Sequence, residues 1–364
     1  MRHAFAIARV EVIRLLRTRV ALTLLLLVPA FQVILFGYAI RPQGSTVTIA
    51  IAAPTSQMAA AVSKRLGTET GLKIVSDTLK SGDAEAQVRA GKAMVGIEIP
   101  ETRSFANPFA PLRPVRVVID SSNPALTGGS AALITAYYWR ALAEQANVTG
   151  NAPGLKIIRL YNPQSRADWT FLPALIGVTV MISMILLGCL SLAREREAGT
   201  WETLLSLPVG RGSMLFGKLL PYVILGTAQG VLVLGVGIWL FDLPTRGSVL
   251  GLLLMLPLFS AAHFLLGYAI SARSRTQMDA LQGAIAFYLP AMLLSGFLYP
   301  FESLPAWAQI IGNVFPLTHF IHAARNVLLR GANMAELAGD GLAIAAVLAT
   351  AAAIGFASQA QRLD

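Results

Sequence analysis

The sequence predicts a polytopic α-helical membrane protein with six transmembrane helices, an N-terminal interfacial helix and an inserted α/β extracytoplasmic domain. Hydrophobic residues make up 55% of its 364 residues, charged residues only 13%, and the mean hydropathy is +0.62. A soluble domain averages about 25% charged residues. The charge is also unevenly placed, because six long stretches have none while residues 41–168 have the composition of a soluble domain.

The six uncharged stretches are long enough to cross about 30 Å of hydrocarbon, although the last is short and rich in alanine. They are 20–40, 169–193, 219–241, 249–270, 280–299 and 341–357. The segments that this arrangement places in the cytoplasm hold twelve lysines and arginines, and the short outer loops hold three. This positive-inside bias places both termini in the cytoplasm. The single cysteine, Cys189, falls inside the second span, so the external block has no disulfide, which fits a bacterial envelope protein. The distribution of the charge therefore argues against nucleic acid as a partner, although the net charge is +10.

Residues 1–19 predict an amphipathic helix. Phe5, Ala8 and Val12 fall on one helical face, and five arginines occupy much of the other. A helix of this kind lies in the inner headgroup layer of the bilayer, with its apolar face towards lipid. The alternative is a basic segment that only orients the first span.

Residues 41–168 predict alternating strands and helices. Strands are expected at 46–54, 72–76, 93–100, 113–124 and 155–163, with helices at 56–71, 81–92 and about 126–145. Such alternation is typical of βαβ units with a mostly parallel sheet. The block has no histidine or cysteine, and its acids are scattered, so we expect a docking or gating module rather than a catalytic one.

The remaining part, 169–364, predicts five transmembrane helices with re-entrant external helices at 300–336. That segment is moderately apolar but broken by proline and glycine, which favours two short helices that dip into the outer leaflet.

No energy source is evident in the membrane spans. His263 is the one ionisable imidazole in them, and we interpret it as a neutral ring bonded to a neighbouring helix. The spacing of Gly212, Gly217 and Lys218 imitates a phosphate-binding loop, but Leu219 replaces the Ser or Thr that would hold Mg²⁺. Lys218 is therefore expected to reach the inner headgroups. His319 and His322 lack a third ligand in the sequence nearby, so no metal site is expected.

Residues 192–208, LAREREAGTWETLLSLP, follow the second span directly. Arg194 and Arg196 stop that span, while Glu195 and Glu197 can pair with these arginines or with a partner. Gly199 permits a sharp turn, and Thr200 can cap a short helix that begins at Trp201 and ends at Pro208. An acidic helix with apolar residues such as Leu205 suits a groove in another protein better than it suits lipid.

Residues 195–222, EREAGTWETLLSLPVGRGSMLFGKLLPY, resemble the segment between the second and third spans of type-2 ABC exporter permeases. The resemblance is strongest to the bacterial multidrug type with a large external domain after the first span. It implies that 195–208 is the coupling helix, which rides in a groove of a separate ATPase subunit. The residues assigned to coupling are Arg194, Glu195, Arg196, Glu197, Gly199, Thr200, Trp201, Glu202, Leu205 and Pro208.

The same resemblance implies a transport path between the second and fifth spans of two facing permease subunits. The residues assigned to the path and its outer gate are Leu186, Cys189, Phe287, Leu294, Phe297 and Tyr299. It further implies that this chain is not an enzyme and holds no cofactor, because ATP and Mg²⁺ are bound by the partner subunit. A periplasmic adaptor is a further partner that the sequence leaves open.

The sequence therefore predicts an ATP-driven permease that moves hydrophobic or amphipathic compounds, such as drugs, out of the cytoplasm or inner membrane. Two alternatives stay open. One is a secondary, ion-coupled carrier, for which His263 would be essential. The other is a membrane sensor or scaffold whose external domain binds a ligand.

Overall fold

The structure is a computed structural model that describes residues 2–17, 31–32, 47–56, 60, 62–63, 72–79, 82–99, 115–120, 155–162, 166–200 and 210–360. The chain divides into two compact units. One comprises residues 1–39 and 171–364, and the other comprises residues 40–170. Most of the predicted first span, the predicted helix at 126–145 and most of that at 56–71 lie outside the described residues.

The unit of residues 40–170 contains a five-stranded sheet. Its strands are β1 Val47–Ala52, β2 Leu72–Leu79, β3 Val95–Glu98, β4 Val115–Asp120 and β5 Leu155–Leu160. They lie in the order β2-β1-β3-β4-β5. The β1–β2, β1–β3 and β4–β5 pairs are parallel, and the β3–β4 pair is antiparallel. Each strand falls within or close to a segment that the sequence predicts as extended.

The two faces of this sheet are covered differently. One face carries a continuous apolar cluster that includes Ile49, Ile97 and Val117. The other face carries a smaller cluster beside helix α2, Asp83–Arg89. Gly96 in β3 permits this close packing, because a Cβ atom there would lie 2.7 Å from the Ala84 carbonyl oxygen of α2.

The other unit is built from long apolar helices. Helix α1, Arg2–Arg17, is followed after the sheet region by α3 Ala167–Glu197, α4 Arg211–Phe241, α5 Val249–Ser271 and α6 Gln277–Leu294. Helix α9, Ala338–Ala360, comes last. Among the described residues, four helices are long and apolar enough to cross a membrane: those spanning 168–197, 212–241, 249–271 and 338–357. The chain is thus a largely helical, polytopic membrane protein.

Two glycines bring α3 and α5 into backbone contact. A Cβ atom on Gly188 would lie 2.3 Å from the Phe264 carbonyl oxygen. A Cβ atom on Gly267 would lie equally close, 2.3 Å, to the Ile185 carbonyl oxygen. Small residues at helix interfaces are how membrane helices approach closely, since no hydrophobic driving force acts between them in lipid. This reciprocal pair sets the distance between the two helices.

The predicted span at 280–299 differs from the structure at its end. Helix α6 stops at Leu294, and the chain turns at Gly296, whose φ of +83° favours glycine. Two short helices follow, α7 Ala306–Gly312 and α8 Pro316–Arg325, with a π-helical segment at Asn326–Arg330. The expectation of two short helices at 300–336 agrees with these elements.

Candidate functional site

Helix α3 ends within residues 192–208, the segment that the sequence singles out and that is called the elbow below. Its last residue is Glu197, and Gly199 follows with φ +67°, a left-handed conformation that favours glycine. The hydroxyl of Thr200 donates a hydrogen bond to the Glu195 carbonyl at 3.2 Å. Trp201, Glu202, Leu205 and Pro208 lie outside the described residues, so the short helix expected there stays a prediction.

Lys218 lies at the centre of a buried ionic cluster beside this elbow. Its Nζ atom lies 2.6 Å from Glu195 Oε1 and 3.1 Å from Glu11 Oε1. The Lys218 side chain is only 1% exposed. The expectation that Lys218 reaches the inner headgroups is therefore wrong, because two buried carboxylates compensate its charge within the protein.

Helix α1 supplies the second carboxylate of this cluster. Glu11 Oε2 accepts a hydrogen bond from the Tyr222 hydroxyl at 3.1 Å, and Arg14 Nη1 donates to Glu195 Oε1 at 3.1 Å. The helix docks closely because a Cβ atom on Gly217 would lie 2.6 Å from the Ala4 carbonyl oxygen. Charge and close packing thus join α1 to the end of α3 and the start of α4.

The face that α1 buries is narrower than its apolar pattern suggests. Ala4, Ala8 and Glu11 are buried against protein, whereas Phe5 and Val12 are exposed. Phe5 and Val12 belong to the face that the sequence predicts to lie towards lipid. Ala8, which the sequence places on the same face as Phe5 and Val12, is buried against protein, so only part of the predicted lipid-facing side stays uncovered in the described structure.

Sequence reasoning missed Glu11 and Tyr222. A signal for Glu11 was present, because it is the one acid in a helix of sixteen residues that is otherwise basic and apolar. It also follows Ala4 and Ala8 at the spacing of one helical face. Tyr222 is the last residue of the stretch 195–222 that carries the resemblance, but nothing local pairs it with Glu11, which lies 211 positions away in the chain.

Glu195 and Glu197 differ in burial and in their hydrogen-bond partners. Glu195 is buried, 3% exposed, and its Oε1 atom accepts from both Lys218 and Arg14. Glu197 is exposed and accepts a hydrogen bond from the Gln277 backbone N–H at 2.6 Å and another from the Gln277 side chain. Both of these Glu197 bonds come from Gln277, and not from Arg194 or Arg196, which the sequence suggested as partners within the chain.

Arg196 ties the same elbow to the connection between α5 and α6. Its Nη1 atom donates to the carbonyl oxygens of Ser271 at 3.2 Å and Ser274 at 2.9 Å. The Ala193 backbone N–H also donates to the Ser271 hydroxyl at 2.9 Å. Together with the Glu197–Gln277 bonds, these contacts join the end of α3 to the 271–277 turn. Arg194 is half-buried on the same last turn of α3.

The residues assigned to the transport path differ in their exposure and their packing partners. Cys189 is fully buried in a cluster between α3 and α6, with Leu186 and Phe287 partly buried against it. Phe297 is buried and packs edge-on against Phe171, with ring centroids 6.1 Å apart. Leu294 is half-buried, and Tyr299 is 47% exposed. Their role in a path stays a prediction.

His263 is fully buried in α5, and its Nδ1 atom lies 3.0 Å from the Phe259 carbonyl oxygen. The bond is within its own helix, so the expected bond to a neighbouring helix is not the one formed. Among the described residues, no group of three or more His, Cys, Asp and Glu side chains is placed to hold a metal ion.

Comparison with known proteins defines the class to which this fold belongs. Residues 19–357 match the ABC-2 family transporter protein family. The probable multidrug ABC transporter permease YbhR of Escherichia coli is 27% identical over 338 residues, which cover 91% of this chain and 90% of that protein. Its counterpart YbhS is 27% identical over 315 residues, covering 84% and 82%. The ABC transporter G family member 20 of Dictyostelium discoideum is 25% identical over 343 residues, 91% of this chain but 47% of that protein.

The protein is thus a membrane permease of an ABC transporter. It belongs to the ABC-2 family, which implies association with an ATP-hydrolysing subunit. The resemblance based on residues 195–222 is confirmed.

Proposed function

We propose that this chain is the permease subunit of an ATP-driven exporter in a bacterial inner membrane. It moves hydrophobic or amphipathic compounds, such as drugs, outwards from the cytoplasm or inner membrane. Two permease subunits, identical or related, form the path, and a periplasmic adaptor can extend it. The chain contributes six spans, an external α/β domain and two cytoplasmic termini, while ATP and Mg²⁺ bind the ATPase subunit.

The observation that carries the proposal is the convergence of four parts of the chain at the elbow. Glu195 binds Lys218 of α4 and Arg14 of α1, and Arg196 and Glu197 bind the 271–277 turn. A force applied to residues 200–209 therefore reaches α1, α3, α4 and the α5–α6 turn together. A connector that only rests on lipid would need none of these contacts.

The exposed residues of the elbow are those available to contact the ATPase subunit. Glu197, Gly199 and Thr200 are exposed, whereas Glu195 is buried. We therefore assign direct contact with the ATPase to Glu197 and the residues after Gly199. Glu195 acts instead by holding the elbow to α4 and α1.

The test uses the chain co-expressed with its ATPase subunit in inverted membrane vesicles, with ethidium uptake as the measure of export. Glu202→Arg and Gly199→Pro should each lower ATP-dependent uptake at least about tenfold, which corresponds to about 1.4 kcal/mol in the barrier. Membrane insertion should be unchanged. Gly199→Pro acts because proline cannot adopt the positive φ of this turn.

The matched control is Glu302→Arg, which makes the same charge change at an exposed position in the turn after α6. It should leave uptake unchanged. A cysteine at position 201, in a Cys189→Ala background, should cross-link to the ATPase subunit. Full uptake by both elbow variants, or cross-linking elsewhere, would contradict the coupling role.

A further inference from the structure

Three elements meet at His319, far along the chain from the elbow. The ring lies in α8, with Nδ1 3.3 Å from Asp340 Oδ1 in the first turn of α9. Its Nε2 atom lies 2.9 Å from the carbonyl oxygen of Asn313, the residue that caps the end of α7. The neighbouring Thr318 hydroxyl donates to the Gly312 carbonyl at 2.6 Å, which also ties α7 to α8. One imidazole thus bridges α7, α8 and α9.

Both ring nitrogens of His319 face acceptors. A backbone carbonyl oxygen can only accept a hydrogen bond, and so can an ionised carboxylate. A neutral imidazole carries one N–H and can donate only one of the two bonds. The imidazolium form carries an N–H on each nitrogen and donates both. The site at His319 is therefore complete only when the ring is protonated.

His322, three residues further along α8, has different surroundings. Its Nδ1 atom lies 2.8 Å from Asp340 Oδ2, and its Nε2 atom lies 3.1 Å from the Asn326 amide nitrogen. That amide donates, so Nε2 accepts, and a neutral ring with its proton on Nδ1 satisfies both contacts. Its side chain is 58% exposed, against 20% for His319. The two histidines share Asp340 but differ in their other hydrogen-bond partner, which is a backbone carbonyl for His319 and a side-chain amide for His322.

The titratable groups that share the hydrogen-bonded cluster of His319 lie on two helices, α8 and α9. Asp340 on α9 and His322 on α8 are the titratable groups in this hydrogen-bonded cluster. Helix α5, which also packs against α8, contains no Asp, Glu, Lys or Arg, and its His263 is fully buried beside Phe259.

The other charged groups on elements packed against α8 lie elsewhere along those elements. Asp279 caps the opposite end of α6 through Thr276. Arg325 and Arg330 follow His322 at the end of α8 and in the π-helical segment. The hydrogen bond to Asp340 raises the pKa of His319 above its ordinary 6.5, although burial acts in the opposite direction.

We propose that His319 is a pH-dependent clamp, which as an imidazolium holds α7, α8 and α9 together and on deprotonation releases one of its two bonds. The clamp lies in the two short helices that precede the last apolar helix, so its release loosens α7 and α8 from α9. It goes beyond the export function and does not depend on it.

The raised pKa of His319 fixes the direction of the pH effect. Its contribution to stability is fully present below the unfolded value of about 6.5 and is lost as pH rises through the higher folded value. Mild alkalinity, rather than acid, should therefore loosen this end of the bundle.

The first test is a titration of the full-length protein in nanodiscs, with ¹⁵N-labelled histidine followed by NMR from about pH 5 to about pH 9. The chain has four histidines, so single substitutions assign the signals. The His319 midpoint should lie above that of free histidine. Asp340→Asn should lower it, and His322→Gln should leave it above the free value. A wild-type His319 midpoint at or below the free value would overturn the proposal.

The second test measures thermal unfolding of the same protein over the same pH range. The wild type should lose stability as pH rises above about 6.5, and His319→Gln should remove most of that pH dependence. His322→Gln, the matched control on the same helix, should retain it. An unchanged pH profile in His319→Gln would overturn the proposal. Neither measurement uses ATP or a substrate, so failure here leaves the export function untouched.

Discussion

At the scale of single residues, Lys218 matters most, because it compensates two carboxylates whose side chains are only 4% and 3% exposed. Burying a charge without a partner costs several kcal/mol, and here one ammonium lies between Glu11 and Glu195. Among the described residues, Glu195 Oε2 has no hydrogen-bond partner, so this carboxylate relies on the contacts of its other oxygen. Removal of an oppositely charged pair from this cluster should therefore destabilise the protein less than removal of a single charged side chain.

Lys218→Met should lower the free energy of unfolding by about 3–5 kcal/mol, because it leaves buried carboxylates uncompensated. Thermal unfolding of the purified protein in detergent measures the loss. The double variant Lys218→Met with Glu195→Gln should recover much of it, since Arg14 then remains beside Glu11 at 3.5 Å. Lys92→Met, at an exposed position, should change stability by less than about 0.5 kcal/mol. Equal effects at Lys218 and Lys92 would contradict the role of the buried cluster.

At the scale of elements, glycine decides how closely the helices approach. Gly188 and Gly267 let α3 and α5 touch through their backbones, and Gly217 does the same for α4 and α1. Helix α3 is the most deeply buried of the four apolar helices that the structure describes as candidate spans. Its position therefore depends on these contacts rather than on lipid.

Gly267→Val should destabilise the protein by at least about 1–3 kcal/mol, because its Cβ atom would overlap the Ile185 carbonyl and force α3 and α5 apart. The loss should appear as a lower unfolding temperature and as aggregation during size-exclusion chromatography. Gly235→Val in α4 is the matched control, since a Cβ atom there meets no atom within 4 Å. Comparable losses for both variants would show that residue type, and not close helix packing, causes the effect.

At the scale of the whole molecule, the two ends of the helical unit differ in chemistry. The elbow end carries a buried ionic cluster and the 271–277 turn, whose Arg273 and Arg275 are exposed. The other end carries the short helices α7 and α8 and the His319 clamp. That the elbow end is cytoplasmic and that α7 and α8 are external stays a prediction from the charge distribution.

The topology predicts opposite labelling of two exposed positions. In a Cys189→Ala background, Glu302→Cys should react with a membrane-impermeant maleimide added to intact spheroplasts. Arg275→Cys should react only after the membrane is permeabilised. Both positions are exposed in the structure, so a difference in labelling reports the side of the membrane rather than burial. The reverse pattern would invert the predicted orientation.

The sequence by itself determined the membrane class, the positions of the strands and the location of the elbow, because these depend on local pattern. The length of an apolar stretch, the alternation of strands and helices, and the EREAGT motif at residues 195–200 can each be recognised within a few to about twenty residues. The tertiary structure alone decided what compensates Lys218, why Glu11 interrupts a basic helix, and which form of His319 fits its site. Those outcomes depend on contacts between distant segments, such as the Lys218–Glu11 pair 207 positions apart, which no local pattern specifies.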